Sequence, residues 1–331
     1  MRYALLRKSW SFVIIFLIIG AAVSTSSSNH IDKNISIIDG NMFYVGGSGP
    51  GNYSKIQDAI DNASNNDTVF VYDDMSPYYE NIMIIEQSIN LIGENRETTI
   101  IDGGEQLSVV TIQADGVTIS GFTIQNSGVL WINHGIDLHS SYNIISDNII
   151  TNNNVGIGLY TISTYIADFN NITNNIIEKN DGYGVKLYGS SYNTISDNTI
   201  ASNNGNGVYL DESFNNVISS NVISDNNGGL IISSPSNYNN ASDNVFTNDG
   251  VIITYLNQNT ILNNLVNGKP IVYLEGESDK IIEEDAGQII LVNCNNITVQ
   301  NQDLSNVSNA LMLLDTHNCL ITGNTIRSND V

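Results

Sequence analysis

A segment of eight residues that recurs along the chain is the feature that most limits what this sequence can fold into. Residues 143–150 read NIISDNII and residues 193–200 read NTISDNTI. Related segments begin at Asn216, Asn239, Asn259 and Cys319. Most copies follow the preceding one after 20 to 27 residues. Repeats of this length are typical of solenoids, in which each unit buries its apolar side against its neighbours.

Apolar residues alternate with outward ones in each repeat, and this period of two indicates short β-strands. A leading apolar position such as Ile145, and a second one five residues later such as Ile150, recur as far as Ile321 and Ile326. Each segment is followed by a further pair of inward positions: Ile136/Leu138, Ile157/Leu159, Val185/Leu187, Val208/Leu210, Leu230/Ile232, Val251/Ile253, Ile271/Tyr273 and Leu311/Leu313. Two or three short strands per repeat predict an all-β parallel β-helix.

Turn positions also repeat. An Asn recurs between the two apolar columns, at Asn148, Asn175, Asn198, Asn221, Asn244, Asn264 and Asn324. Side-chain amides stacked about 4.8 Å apart can hydrogen-bond along the axis, so we interpret this column as a turn ladder. Three residues before the leading apolar position stand Tyr142, Phe169, Tyr192 and Tyr238, which predict an internal aromatic stack.

The segment before the regular repeats, about residues 43–66, is predicted to cap the open end of the solenoid. Within it, residues 52–63 indicate a short amphipathic α-helix, because Ile56 and Ile60 share a face with two alanines. Ser54 and Gln57 fit a capping box at its start.

The first 28 residues have the features of an export signal. Basic Arg2, Arg7 and Lys8 precede a short apolar run and then small residues. An uncleaved N-terminal anchor is the alternative, and no later segment could span a bilayer. We therefore expect an extracellular or cell-surface protein with one domain, 29–331; its eight Asn-x-Ser/Thr sequons are compatible with glycosylation. The sequence stops in mid-coil, so either a partner covers that face or this is a fragment.

Charge excludes one class of partner. The formal net charge is −23, from 34 acidic and 11 basic residues, and such a surface repels phosphate backbones. Nucleic-acid binding is not expected.

Several segments resemble exported right-handed β-helix proteins of the NosD-like class. They are Tyr44-Val45-Gly46-Gly47 and residues 55–60, 68–72, 79–81, 89–94, 101–103, 268–271 and 286–294. The resemblance implies a single-stranded right-handed parallel β-helix with a short N-terminal capping α-helix. The namesake is implicated in maturing a copper site, many relatives are surface proteins, and the wider pectin-lyase-like fold also includes polysaccharide lyases and hydrolases. The fold alone therefore decides little about function.

The motifs of a polysaccharide-cleaving enzyme are incomplete. Hydrolysis of the polygalacturonase type would need paired carboxylates together with Gly-His-Gly and Arg-Ile-Lys motifs. The nearest match is Asn133-His134-Gly135, and the chain contains no Arg-Ile-Lys. We therefore expect a non-catalytic role, with catalysis as the alternative.

The outward positions of the third strand column suggest a glycan-binding strip. Its aromatic residues are Tyr160, Tyr188 and Tyr209, and its edges carry His139, Lys186 and Asp211. Sugar rings stack on aromatic side chains while carboxylates and amides bind hydroxyl groups. The alternative is that aromatic residues simply suit exposed strands.

Soft metal ligands are few. Cys294, His317 and Cys319 fall near one corner of two consecutive repeats and could hold Cu(I) or zinc. Free thiols or a disulfide are the alternatives. Asp137 and His139 form another candidate pair, and the acidic residues 275–285 could bind Ca²⁺ loosely. Copper and calcium are thus the candidate metals, and no cofactor is assigned.

The outward columns become apolar farther along the chain, which is typical of a contact surface. This stripe comprises Ile231, Ile252, Val272, Leu274, Met312 and Leu314. We expect an acidic excursion, about residues 275–287, to fold over part of it.

Together these features predict an exported cell-surface β-helix protein that binds glycan or an envelope partner along its strand faces. A carbohydrate-active enzyme and an extracytoplasmic copper-handling protein are the two alternatives.

Overall fold

A computed structural model describes residues 40–255 and 258–328, so the predicted export signal lies outside the described residues. The chain winds as a right-handed parallel β-helix of about 12 turns with one short helix, which confirms the predicted fold. Each coil contributes one strand in turn to three sheets, called here the first, second and third sheets. No helix in these two ranges is long and apolar enough to cross a membrane.

The strands are short and follow one another in register. The first sheet contains Met42–Val45, Thr68–Val71, Asn90–Gly93, Thr118–Ser120, Ile144–Ser146, Asn171–Thr173, Thr194–Ser196, Val217–Ser219, Asn240–Ser242 and Thr260–Leu262. The second contains Tyr78–Tyr79, Ile100–Asp102, Thr123–Gln125, Ile149–Thr151, Ile176–Glu178, Thr199–Ala201, Val222–Ser224, Val245–Thr247 and Leu265–Val266. The third contains Ile82–Ile84, Val110–Ile112, His134–Leu138, Val155–Tyr160, Val185–Tyr188, Val208–Asp211, Leu230–Ile232 and Val251–Ile253.

The core is formed by the predicted inward columns. Ile145 pairs in register with Ile119 and Ile172, and all three side chains are fully buried. Each such burial contributes about 1.5–3 kcal/mol. The prediction is wrong for the final coil, where Leu313, Ile321 and Ile326 are about half exposed because no further described coil covers them.

The predicted Asn ladder is present and is fully buried from Asn148 to Asn264, whereas Asn324 in the final coil is partly exposed. The Oδ1 atom of Asn198 accepts hydrogen bonds from both the backbone N–H and the Nδ2 of Asn175, at 2.9 and 3.1 Å. The Nδ2 of Asn198 donates in turn to Oδ1 of Asn221 at 3.0 Å and to the carbonyl of Ile172 at 2.9 Å. Two more ladders, which the sequence analysis did not separate, mark the other corners: Asn143, Asn170, Asn193, Asn216, Asn239 and Asn259; and Asn153, Asn180, Asn203, Asn226 and Asp249.

The helix Ile56–Asn62 lies against the first coils and buries Ile56, Ala59 and Ile60, as its pattern predicts. The predicted capping box is absent. Instead, the Glu80 carboxylate accepts hydrogen bonds from the N–H groups of Ile56 and Gln57 at 2.8 and 3.0 Å. A carboxylate from the next coil thus satisfies these helix donors.

The chain reverses direction at Asn267-Gly268, where both residues have positive φ, 51° and 79°. This is the type I′ geometry of a tight hairpin, and it makes the next strand antiparallel to Leu265–Val266. The second sheet continues beyond this reversal through Lys269–Glu275, Gln288–Val292 and Leu311–Leu314, which run parallel to one another. A separate parallel sheet contains Ile281–Ile282, Thr298–Gln300 and Leu320–Thr322.

This reversal corrects two expectations. The acidic excursion at 275–287 is one side of a coil, because Ile281–Ile282 pairs with Thr298–Gln300. The apolar stripe is also interrupted, since Ile252 belongs to the third sheet whereas Val272 continues from the second. Residues 280–284 line a groove with Val272 and Leu274.

The aromatic stack lies outside the core rather than inside it. The rings of Tyr142, Phe169 and Tyr192 are stacked at 5.2 and 5.0 Å, but each side chain is about half exposed or more. All three residues have positive φ, which directs the side chain away from the core at a corner.

We expect Asn198→Ala to lower the free energy of unfolding by about 3 kcal/mol, because the backbone N–H of Asn175 stays buried without its partner. Urea unfolding measures this change. The matched control is exposed Asn204→Ala, which should change stability by less than about 0.5 kcal/mol. Equal effects of the two substitutions would contradict the ladder's role.

Asp249 ends the third ladder with a carboxylate in place of an amide. Its Oδ2 accepts from the N–H and Nδ2 of Asn226 at 3.1 and 2.8 Å, while its buried Oδ1 has no described partner. Burial raises the pKa of Asp249 to about 6. A raised carboxyl pKa means that stability is lost as the pH rises from about 4 through about 6.

Asp249→Asn completes the ladder with a neutral amide. We expect it to raise the free energy of unfolding on the order of 2 kcal/mol at pH 7 and to change it little at pH 4. Urea titrations across this pH range make the comparison, and a variant less stable than the parent at pH 7 would contradict this account.

Candidate functional site

The candidate site lies on the outward face of the third sheet, where four consecutive coils expose polar and aromatic side chains. The register aligns Asp137, Gly158, Lys186 and Tyr209 in one row. The adjacent row holds Tyr160, Tyr188 and Asp211, and His139 follows the strand end beside it. All six residues of the predicted strip therefore lie on this face.

A buried carboxylate between two imidazoles forms the floor. Asp137 is 8 % exposed, and its Oδ2 lies 3.2 Å from Nε2 of His139. Its Oδ1 lies 3.2 Å from Nδ1 of His134, an ion-pair distance, although neither atom has a hydrogen-bond partner of good geometry. Burial raises the pKa of Asp137, but His134 and His139 outweigh it and hold the pKa at about 2. In return, Asp137 raises the pKa of His139.

Tyr160 lies across this floor because Gly158 leaves room for it. A Cβ at position 158 would be 2.5 Å from Cε2 of Tyr160, so a larger residue would displace the ring. The Tyr160 hydroxyl is 3.0 Å from Nε2 of His134, and burial raises the pKa of Tyr160. The ring is thus a wall of the site rather than the exposed platform that alternation suggests.

A cation and two further rings extend the face. Nζ of Lys186 lies 5.6 Å from the ring centroid of Tyr160 and 5.4 Å from that of Tyr183. Tyr183 packs on Tyr209 at 5.0 Å. Burial lowers the pKa of Lys186. Tyr183 was missed by the sequence analysis because it lies in a corner, outside the strand alternation.

A pocket of about 180 Å³ opens above this floor. It is lined by Trp131, Ile132, His134, Asp137, His139, Tyr160 and Ile162. In the sequence, His134 stands out only by comparison with the Gly-His-Gly motif, and no repeat pattern marks Trp131. The insertion that carries Trp131 is visible in the sequence as extra length in this coil. Ser127 and Ile136 are nine positions apart, whereas the equivalent Asn153 and Ile157 are four apart.

The three predicted soft ligands do not form a cluster. Cys294 is buried, and its thiol donates to the carbonyls of Leu274 and Val292 at 3.4 and 3.3 Å. His317 is exposed, and Cys319 donates to the backbone of His317. Both cysteines are free thiols.

Nowhere among residues 40–255 and 258–328 do three His, Cys, Asp or Glu side chains form a group that could hold a metal ion. In the floor, one nitrogen of each imidazole lies beside the Asp137 carboxylate, and Nε2 of His134 lies beside the Tyr160 hydroxyl. The acidic residues of the last coils are partly paired, since Glu277 binds Lys280 at 3.0 Å. The described residues therefore do not fit a copper or calcium centre.

The fold is a NosD-like parallel β-helix. The chain belongs to the family whose model is described as periplasmic copper-binding protein (NosD), which matches residues 60–255. No curated protein matches the chain.

Solved structures with similar architecture have low sequence identity. The catalytic domain of Agl-KA matches at 13% identity and TM-score 0.49, over 79% of this chain and 63% of that domain. An alginate lyase from Paenibacillus sp. str. FPU-7 matches at 15% identity and TM-score 0.44, over 83% and 93% of the two chains. The GH136 lacto-N-biosidase from Eubacterium ramulus matches at 9% identity and TM-score 0.45, over 87% and 68%.

The ion pair between Asp137 and His139 predicts a shifted titration. We expect Asp137→Asn to lower the pKa of His139 toward 6.5, as seen by NMR of the imidazole protons. Because the folded-state pKa is raised, the contribution of this pair to stability is present below pH 6.5 and is lost as the pH rises through the folded pKa. The control is Asp197→Asn, an exposed carboxylate away from this floor, which should leave the His139 pKa as it is in the parent. An unchanged His139 titration in Asp137→Asn would contradict the pairing.

Proposed function

We propose that this chain is an extracytoplasmic protein that binds glycan on the outward face of the third sheet. The observation that carries the proposal is the arrangement of aromatic rings beside buried polar groups on four consecutive coils. Tyr209 packs on Tyr183, Lys186 lies near Tyr183, and Tyr160 adjoins the Asp137 floor. Sugars combine apolar ring faces with hydroxyl groups, so both kinds of group are useful in binding them.

The spacing of the coils supports an extended ligand. Equivalent residues recur about every 4.8 Å along the axis, so a chain molecule could contact Tyr188 and Asp211 on successive coils. The exposed aromatic stack at the corner is a poorer platform, because the facing surfaces of Tyr142, Phe169 and Tyr192 cover one another.

The proposed location rests on two observations. The family description is of a periplasmic protein. The first 28 residues combine a basic start with a short apolar run, as export signals do.

A second candidate function is acid–base catalysis on a bound glycan, and the floor geometry favours it. Asp137 remains ionised and lies beside His139, whose pKa it raises, so this imidazole is placed to exchange protons with a bound ligand. The Tyr160 hydroxyl contacts His134 on the other side of the carboxylate. Copper handling, the third candidate, is supported by the family description, whereas the described side chains do not form a copper centre.

A glycan-array screen of the purified chain tests the proposal. We expect binding to at least one glycan, and an affinity about tenfold weaker in the Tyr188→Ala/Tyr209→Ala variant, because stacking surface is lost. Tyr160 is left intact in this variant because it also supports His134.

The matched control is Tyr79→Ala, an exposed tyrosine of the second sheet, which should bind like the parent. Absence of binding, or equal affinity in the double variant, would contradict the proposed site. The catalytic candidate is tested by measuring reducing ends released from the bound glycan. Release by the parent but not by His139→Asn would establish that the chain catalyses cleavage.

A further inference from the structure

Two inserted loops flank the pocket, one at each end of the third sheet's strands. Residues 128–133 directly precede the strand His134–Leu138, and residues 161–166 directly follow the strand Val155–Tyr160 of the next coil. Leu159 and Ile172 are thirteen positions apart, where the equivalent Leu138 and Ile145 are seven apart. Both loops are therefore additions to the regular coil.

The loops expose large apolar side chains. Trp131 is 75 % exposed, and Ile132 and Ile162 are about half exposed, yet all three line the pocket. The remaining exposed apolar residues of the loops are Val129, Leu130 and Ile166. Neither loop contains an Asp, Glu, Lys or Arg, although the whole chain carries a formal charge of −23. An exposed apolar surface of this kind is typical of a binding site.

Hydrogen bonds help to fix the backbone of both loops. Ile162 and Tyr165 exchange backbone hydrogen bonds of 3.0 and 2.6 Å, which close the second loop into a tight turn. In the first loop the N–H of Asn133 donates to Leu130, and the Asn154 side chain donates to Val129. The exposed side chains of Trp131 and Ile162 are thus available to a ligand at little ordering cost.

The floor between the loops is polar. Nδ1 of His139 and Oδ1 of Asp137 are buried without hydrogen-bond partners among the described residues, so both atoms could bond to a ligand. A polar floor with apolar sides suits a ligand that has hydrogen-bonding groups at one end and an apolar group at the other.

We propose that this pocket binds a sugar unit that carries an alkyl or acyl group. The sugar hydroxyls contact the floor near His139 and Tyr160, and the apolar substituent packs between Trp131 and Ile162. This inference rests on the proposed function and narrows its substrate class to glycans with an apolar substituent.

The test compares hexyl and methyl β-glycosides of glucose, galactose, mannose and glucuronic acid, each below the concentration at which micelles form. Calorimetry should show at least one hexyl glycoside binding about tenfold more tightly than its methyl partner, because the longer alkyl chain buries more apolar surface. Tryptophan emission should shift to shorter wavelength on binding. The chain has two Trp residues, so absence of this shift in Trp131→Ser assigns it to Trp131.

Trp131→Ser/Ile162→Ser should reduce hexyl binding to the level of the methyl glycoside. Both side chains are exposed, so the fold should be unaffected, which the unfolding midpoint checks. The matched control is Leu262→Ser, an exposed apolar residue of the first sheet. Equal affinities within every glycoside pair, or hexyl binding that survives the double substitution, would overturn the inference.

The two proposals fail in different ways. Glycans on the array could bind in a way that depends on Tyr188 and Tyr209, while hexyl glycosides bind no more tightly than methyl glycosides. The glycan proposal then stands, and the proposed apolar pocket is wrong. If hexyl glycosides bind through Trp131 while Tyr188 and Tyr209 are without effect, the pocket stands and the extended glycan surface is wrong.

Discussion

Hydrogen bonds between buried Asn side chains are the interaction on which the rest of this structure depends. Each coil must turn three times within little more than twenty residues, and the turns place many residues at positive φ. Asp147, Asn174 and Asp197, for example, have φ between 56° and 58° and directly precede ladder residues. Such a conformation costs a non-glycine residue about 1–2 kcal/mol. The stacked amides offset this cost by satisfying turn donors and carbonyls inside the core.

The ladders also explain where the site can form. Since the corner residues are fixed by contacts with both neighbouring coils, the extra residues lie between a ladder position and the strand before or after it. The insertion at 128–133 follows Ser127, which bonds to the ladder residue Asn153, and the insertion at 161–166 ends just before Asn170. The floor therefore stays regular while the loops change. Rigid strands carry the polar groups of the pocket, and loops supply its apolar sides.

Much of this architecture is readable from the sequence, because a repeated core leaves a repeated pattern. The buried columns through Ile145 and Ile150 and the ladder through Asn198 follow directly from it. The reversal at Asn267-Gly268 had a signal as well, since Asn-Gly between apolar residues is a strong hairpin pattern. The helix cap at Glu80 had no local signal, because that carboxylate comes from another coil.

The site was predicted less completely, for identifiable physical reasons. Ile136 faces the core, so regular strand alternation would direct His134 inward as well. However, a Cβ at Gly135 would meet the core residue Ile150, so Gly135 and Ile136 both face inward. His134 therefore lies on the outward side, beside Asp137. Tyr160 folds over its own strand because Gly158 has no side chain. Alternation gives the face on which a residue lies, whereas small neighbours decide where its side chain goes.

Hydrogen exchange of the side-chain amides tests most directly whether the ladders hold the coils together. In deuterated solvent, the Nδ2 signals of Asn175, Asn198 and Asn221 should persist as long as the backbone amides of neighbouring core isoleucines. That result is expected because each group is buried and bonded to both adjacent coils. If these side-chain amides exchanged as rapidly as the exposed amide of Asn204, the ladders would not be what holds the coils together.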